Sequence, residues 1–162
     1  MTNKILNNSN ILIFIKKYYL SLLFIFYLFL TVLNGYFFNW VNNTFFNFTN
    51  ETENGLRDFS YNEKFMLIVI IAPLVETVIF QYLPIRILEK LRLENNWVKI
   101  ILTSLLFSLF HFYNPIYVAM TFVSGMLLNK FYLESRAKSK FYFVLTALLH
   151  SMYNLYGYLF VK

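Results

Sequence analysis

Residues 65–85 read FMLIVIIAPLVETVIFQYLPI, an almost unbroken apolar run that is long enough to cross a membrane as one helix. Glu76 stands in the middle of this run, with Thr77 beside it and Gln81 about one turn further on. A carboxylate at the centre of a membrane helix costs about 2.5–3.5 kcal/mol on insertion scales, so such a residue is typical of a functional site. The stretch therefore predicts a membrane helix that carries a carboxylate toward the interior of a bundle.

The whole chain has the composition of a membrane protein. Of its 162 residues, 59% are hydrophobic and only 14% are charged, which is far more apolar than a soluble domain. The net charge of +6 does not indicate a nucleic-acid partner, because the cations flank apolar segments rather than alternating with aromatic residues. The absence of cysteine excludes disulfides and thiol catalysis. We predict an all-α, polytopic membrane bundle embedded in a lipid bilayer, with no nucleic-acid partner.

Five apolar segments predict five transmembrane helices, at about residues 18–38, 65–85, 97–113, 115–133 and 141–161. Asn114-Pro115 separates the third from the fourth, because proline disfavours a helical conformation in the residue before it. The positive-inside rule places the N-terminus in the cytoplasm and the C-terminus outside. Within one bundle, we expect residues 1–64 to form an anchor helix with an extracytoplasmic loop, and residues 65–162 to form the core.

The few strongly polar side chains inside these segments fall on three of the helices. They are Glu76, Thr77 and Gln81 in the second segment, Ser104, Ser108 and His111 in the third, and Thr146, His150 and Asn154 in the fifth. Because unpartnered polar groups do not face lipid, we expect these faces to meet inside the bundle. The two serines and Thr146 are expected to bond to the backbone of their own helix. Each lone histidine or asparagine has a simpler interpretation as interhelical glue, worth about 0.6 kcal/mol.

Three short motifs resemble those of the CAAX-protease and bacteriocin-processing (Abi, CPBP) family of intramembrane endopeptidases. APLVETVIFQ, SLLFSLFHFYNP and LLHSMYNL follow the family's order of E-E-x-x-x-R, F-x-x-x-H and H-x-x-x-N or D. Here the motifs read Glu76-Thr77-x-x-x-Gln81, Phe107-x-x-x-His111 and His150-x-x-x-Asn154. The resemblance covers about residues 65–160. It implies a multi-pass protease of the bacterial cytoplasmic membrane that cleaves a peptide or membrane-protein substrate.

The resemblance also implies roles for these residues. Glu76 is expected to act as general base on a water molecule held by His111. His150 and Asn154 are expected to donate hydrogen bonds to the developing oxyanion. The expected supporting residues are Phe107, Thr77 and Gln81.

Two of the supporting residues depart from the family pattern. Thr77 replaces the family's second glutamate and Gln81 replaces its arginine. Because these positions are four apart on one helix, we predict that an ion pair has become a neutral hydroxyl–amide hydrogen bond, which leaves no charge unpaired.

The sequence leaves two interpretations of the cofactor open. Glu76, His111 and His150 have the composition of a zinc-binding set, and the family is often described as metalloproteases. However, if Glu76 binds a metal, no second intramembrane carboxylate is left to act as the base. We therefore favour a metal-independent glutamate–histidine site and keep a divalent metal such as zinc as the alternative.

Two classes of function fit these observations. The first is an intramembrane endopeptidase that acts in bacteriocin processing, in self-immunity or in CAAX-type proteolysis. The second is a catalytically inert membrane bundle that binds a peptide or membrane-protein partner. An ion-coupled transporter fits less well, because the chain has only one intramembrane carboxylate.

Overall fold

The structure, a computed structural model, describes residues 8–48, 56 and 58–160. In that part of the chain all regular structure is helical, and the five predicted helices are present, which confirms the all-α membrane bundle. The helices are α1 (Asn8–Val41), α2 (Tyr61–Lys90), α3 (Asn96–Leu109), α4 (Pro115–Arg136) and α5 (Tyr142–Phe160). Within the described residues, three stretches are long and apolar enough to span a membrane: Tyr18–Phe46, Tyr61–Lys90 and Pro115–Arg136.

Helix α3 is shorter than the predicted third segment. It ends at Leu109 rather than near residue 113, and its 14 residues make a rod of about 21 Å, against a hydrocarbon core of about 30 Å. The Asn114 side chain accepts a hydrogen bond from the Tyr117 N–H at 2.8 Å and starts α4 at Pro115. The chain therefore needs residues 110–114 for the turn, and α3 ends early.

Helix α2 contains two wide π-helical turns, Met66–Ile71 and Thr77–Tyr82. A proline follows the last residue of each turn by two positions (Pro73 and Pro84). A proline has no N–H and its ring clashes with the carbonyl four residues earlier, and an extra residue in the turn accommodates this clash. Glu76 lies between the two π turns, a position at which such irregularities are often functional.

Helix α4 is the centre of the bundle and packs against α1, α3 and α5. Its residues Leu128 and Phe131 are fully buried and form a core with Tyr27 of α1 and Leu149 of α5. The Asn34 side chain of α1 donates hydrogen bonds to the Met120 carbonyl at 3.0 Å and to Ser124 Oγ at 2.9 Å. Polar contacts thus add to apolar packing in holding α1 against α4.

An ion-pair cluster joins the ends of α2, α3 and α4. Arg136 donates two hydrogen bonds to the Glu89 carboxylate, at 2.8 and 3.2 Å, and the Lys99 ammonium lies 3.8 Å from the same carboxylate. The bidentate geometry fixes the relative position of the two helix ends. The ion pairs therefore anchor the α2–α3 hairpin near its connecting turn, and Glu76 and His111 lie further from this turn, along α2 and just beyond α3.

Gly125 lets α4 approach α3 closely. A Cβ atom at this position would lie 3.1 Å from the Phe107 ring and 3.2 Å from the Ser104 Cα atom. The second contact is with backbone, so an added methyl group would push the two helices apart. The glycine therefore sets how closely α4 packs against Phe107, the residue whose ring contacts His111 and His150.

We predict that Gly125→Ala destabilises the protein by about 1–3 kcal/mol, as overpacking in a close helix contact does, and lowers any activity that depends on His111. Thermal unfolding in detergent measures the effect. Gly157→Ala is the matched control, because a Cβ atom at Gly157 meets nothing within 4 Å. Equal unfolding temperatures for the two variants would contradict the prediction.

Candidate active site

Glu76, His111 and His150 meet around one carboxylate oxygen. Glu76 Oε2 lies 3.8 Å from His111 Nε2 and 3.5 Å from His150 Nε2. The three side chains come from α2, from the turn after α3 and from α5. The structure thus brings together the three residues on which the sequence analysis concentrated.

The early end of α3 explains why His111 reaches Glu76. Helices α2 and α3 are joined by a short connection after Lys90, so depth in the bundle is best counted from this hairpin. Glu76 precedes the hairpin and His111 follows it by similar numbers of residues, which at about 1.5 Å per residue places both about 20 Å from it. The two residues therefore lie at the same level.

The hydrogen bond of His111 defines which ring nitrogen carries the proton. Its Nδ1 atom lies 2.8 Å from the Phe107 carbonyl, which can only accept, so Nδ1–H is the donor. In the neutral ring the Nε2 atom then keeps its lone pair and faces the Glu76 carboxylate. Because both facing atoms are acceptors and are 3.8 Å apart, they make no direct hydrogen bond.

His150 occupies the buried side of the cluster. Its residue is 3% exposed, whereas the Glu76 and His111 side chains are 22% and 16% exposed. Its Nδ1 atom has no hydrogen-bond partner among the described residues. Any group that approaches the cluster from outside therefore meets Glu76 and His111 before His150.

Phe107 packs against both histidines. Its ring centroid lies 4.3 Å from that of His111 and 5.8 Å from that of His150, the second in an edge-to-face arrangement. Phe107 is itself 3% exposed and its carbonyl holds the His111 ring. Phe107 thus orients the His111 imidazole through its carbonyl and packs against both imidazoles with its ring.

Asn154 lies on the same face of α5 as His150 but contacts a different group. Its Nδ2 atom donates to the Ile68 carbonyl of α2 at 2.9 Å. One turn further along, the Tyr158 hydroxyl donates to the Tyr61 carbonyl at 3.1 Å. The predicted oxyanion-binding amide is therefore hydrogen bonded to the α2 backbone in this structure.

The predicted hydrogen bond between Thr77 and Gln81 is wrong. Both side chains are fully buried, and neither Thr77 Oγ1 nor the two amide atoms of Gln81 have a partner among the described residues. The two residues lie in the π turn Thr77–Tyr82, whose geometry differs from the α-helical i, i+4 spacing that the prediction assumed.

The three predicted hydroxyl-to-backbone hydrogen bonds are confirmed. Ser104 donates to the Ile100 carbonyl at 2.6 Å, Ser108 to Leu105 at 3.0 Å and Thr146 to Tyr142 at 2.9 Å. These hydroxyls are satisfied within their own helices, as expected of such residues in membrane helices.

Because the Gln81 amide is buried and has no partner in the described part of the chain, we predict that Gln81→Leu leaves the fold intact and stabilises it by about 1 kcal/mol. Asn129→Leu is the matched control, since Asn129 Nδ2 donates to the Gly125 carbonyl at 2.9 Å and to Ser104 Oγ at 3.2 Å. Loss of the Asn129 amide in this control should destabilise the protein. Thermal unfolding compares the two variants, and a clear loss of stability in Gln81→Leu would contradict this interpretation.

Two aromatic residues that the sequence did not predict lie beside His111. The Phe80 ring centroid lies 6.4 Å from that of His111, and the Tyr117 ring centroid lies 6.3 Å from it. The signal for Phe80 is its closeness to Glu76 in the chain, since the π turn that contains it does not keep α-helical spacing. Tyr117 carries no such signal, because it reaches His111 only through the tight turn at Asn114.

The donor set does not fit a catalytic metal centre well. Among the described residues, no group of three or more His, Cys, Asp or Glu side chains is arranged to hold a metal ion. The Asn154 amide, a further candidate donor, is bound to the Ile68 carbonyl. If Glu76 were a ligand, the bundle interior would hold no other carboxylate to act as base. A carboxylate beside two imidazoles can also act as a general base.

Comparison with known families shows which family the chain belongs to. The sequence model of the type II CAAX prenyl endopeptidase Rce1-like family matches residues 62–156, which is more than half of the chain and includes Glu76, His111, His150 and Asn154. The chain therefore belongs to this family of membrane-embedded proteases, which confirms the resemblance seen in the three motifs. Helix α1 lies outside the match. Searches of curated proteins and of solved structures each found no match.

Proposed function

We propose that the chain is an intramembrane endopeptidase in which Glu76 is the general base and no resident metal ion is required. The observation that carries this proposal is the convergence of two imidazole Nε2 atoms on one carboxylate oxygen, at 3.5 and 3.8 Å, inside a membrane bundle. Membership of a protease family supports it.

The pair of Glu76 and His111 is suited to activating water. Since the carboxylate oxygen and His111 Nε2 are both acceptors about one water molecule apart, a water between them donates one hydrogen to each. This arrangement orients the water oxygen away from both residues. The oxygen attacks the peptide carbonyl carbon while Glu76 takes the proton that the water loses.

The remaining steps use the same groups. The carbonyl π electrons move to the oxygen, and the His150 Nε2–H, on the buried side, would donate to this oxyanion. Collapse of the tetrahedral intermediate breaks the C–N bond. Glu76 returns its proton to the leaving nitrogen, so that the net reaction consumes one water and regenerates the carboxylate.

The surroundings of the cluster favour a substrate that is already in the membrane. The turn between α3 and α4 exposes Phe110, Phe112 and Tyr113 next to His111. An apolar approach suits a small membrane-associated peptide or protein, and the family description names prenylated CAAX substrates. We propose cleavage of such substrates in a bacterial cytoplasmic membrane, in bacteriocin processing, self-immunity or CAAX-type proteolysis.

The direct test is a cleavage assay on the purified, vesicle-reconstituted protein. A prenylated CAAX peptide, the same peptide without its prenyl group and a short hydrophobic peptide are incubated with it, and the products are identified by mass spectrometry. Cleavage of at least one of them supports the proposal. If only the prenylated peptide is cleaved, the substrate is of the CAAX type.

The same assay tests whether a metal is needed. We expect cleavage to persist after treatment with 1,10-phenanthroline, and elemental analysis to find far less than one zinc per chain, because the donor set lacks a base once Glu76 is a ligand. A zinc protease treated in parallel is the control for chelation. Loss of activity that added zinc restores would overturn the metal-independent mechanism.

A further inference from the structure

We propose that Asn154 is a positioning residue that completes the hydrogen bonding of α2 where Pro73 interrupts it, and thereby holds Glu76 against the two histidines. This inference rests on the proposed function, and it gives Asn154 a role different from binding the oxyanion.

From the backbone register of α2 we infer that the Ile68 carbonyl has no N–H donor in its own helix. At the end of the first π turn the Ala72 N–H bonds to the Leu67 carbonyl, five residues back. The next residue in this register is Pro73, which would bond to the Ile68 carbonyl but has no N–H. The Asn154 Nδ2 atom, at 2.9 Å, supplies the missing donor.

A membrane helix has particular need of such a donor. Water is scarce in the hydrocarbon region, so a carbonyl released by proline must be satisfied by a neighbouring helix. Glu76 lies three residues after Pro73 and ends the short α-helical stretch Ala72–Glu76, which stands between the two π turns. An external hydrogen bond at Ile68 therefore restrains the segment that carries the carboxylate.

Helix α5 makes this restraint and the active-site contact with one face. His150 and Asn154 are four residues apart, and they contact Glu76 Oε2 and the Ile68 carbonyl respectively. The spacing of the two contacts fixes how α2 lies along α5. Without the bond from Asn154, α2 is free to shift relative to α5, and the distances from Glu76 to the histidines lengthen. A positioning role of this kind lowers kcat more than it changes KM.

A double-mutant cycle between Asn154 and Pro73 tests the inference. Asn154→Leu removes the donor, and we expect kcat to fall about 10- to 100-fold, the factor that one missing buried hydrogen bond represents. Pro73→Ala restores an N–H to α2, which can bond to the Ile68 carbonyl without Asn154. In the double variant we expect kcat to recover most of this loss. Pro84→Ala, at the equivalent position after the second π turn, is the matched control and should give no recovery.

The outcomes separate this inference from the proposed function. The unfolding temperature of each variant is measured without reference to activity, and we expect Asn154→Leu to lower it less when Pro73→Ala is present. Additive changes in unfolding temperature would overturn the inference, even if the protein cleaved no peptide. Coupled stability with no recovery of kcat would also overturn it, because Asn154 would then act on the substrate. If Asn154→Leu does not accumulate in cells, the double variant decides the question. Accumulation of the double variant would support the inference, and its failure to accumulate would overturn it.

Discussion

Glu76→Gln is expected to lower kcat by about 100- to 10,000-fold, the range typical of a lost general base, while the protein still accumulates and folds normally. The amide has nearly the same shape as the carboxylate but cannot take a proton from water. The carboxylate lies 3.5 and 3.8 Å from the two imidazole nitrogens, so replacing one carboxylate oxygen by an amide nitrogen of nearly the same size breaks no short hydrogen bond to either ring. The cleavage assay in vesicles measures the rate, and thermal unfolding checks the fold.

Glu63→Gln is the matched control on the same helix. Glu63 belongs to a capping box with Ser60 at the start of α2, and glutamine can serve in such a box. Both activity and stability should therefore stay near those of the unaltered protein. If Glu76→Gln retained the cleavage rate or the cellular phenotype, Glu76 would not be the base. The inert bundle that binds a partner would then be the better description.

His111→Phe is expected to give the second largest loss, about 100-fold in kcat, because it removes the acceptor that orients water without emptying the site. The phenyl ring can keep the aromatic contacts with Phe107 and Tyr117, so the change acts on chemistry more than on packing. A single-turnover cleavage assay separates the chemical step from substrate binding. We expect KM to change much less than kcat.

The neighbouring residue provides the control for this variant. Phe112 lies in the same turn and is 79% exposed, and Phe112→Leu keeps an apolar side chain on the substrate approach, so kcat should stay nearly unchanged even if KM shifts. Similar losses of kcat in the two variants would mean that the whole turn, rather than the His111 nitrogen, determines the rate.

The convergence of the site could be predicted from the sequence because polar groups in a membrane helix are rare and must find partners. Glu76 is the single carboxylate in an apolar run, and the chain has only two histidines, His111 and His150. These residues lie on three helices, and polar side chains without partners do not face lipid, so the three side chains were expected to meet inside the bundle. The five helices followed from the lengths of the apolar segments by the same reasoning.

The local backbone could not be predicted in this way. The two π turns of α2 shift the register of its hydrogen bonds, and nothing in the hydrophobic pattern marks them except the prolines that follow. Because of this shift, the predicted hydrogen bond between Thr77 and Gln81 does not form. The Ile68 carbonyl instead accepts a hydrogen bond from Asn154. The early end of α3 was missed for a similar reason, since apolar residues continue through the turn to Tyr113.

The shortness of α3 has a consequence for the surrounding bilayer. A rod of about 21 Å in a hydrocarbon layer of about 30 Å leaves a mismatch, and we expect the lipids to relieve it by thinning near the α3–α4 turn. Headgroups and their hydration then sink toward His111, and a hydrolytic reaction inside a membrane can draw its co-substrate from there. A scissile peptide bond near the membrane surface on the side of the α3–α4 turn would need to enter the membrane only a short way to reach Glu76. Selection of the cleavage position by depth would follow from the geometry of the lipid as much as from side-chain recognition.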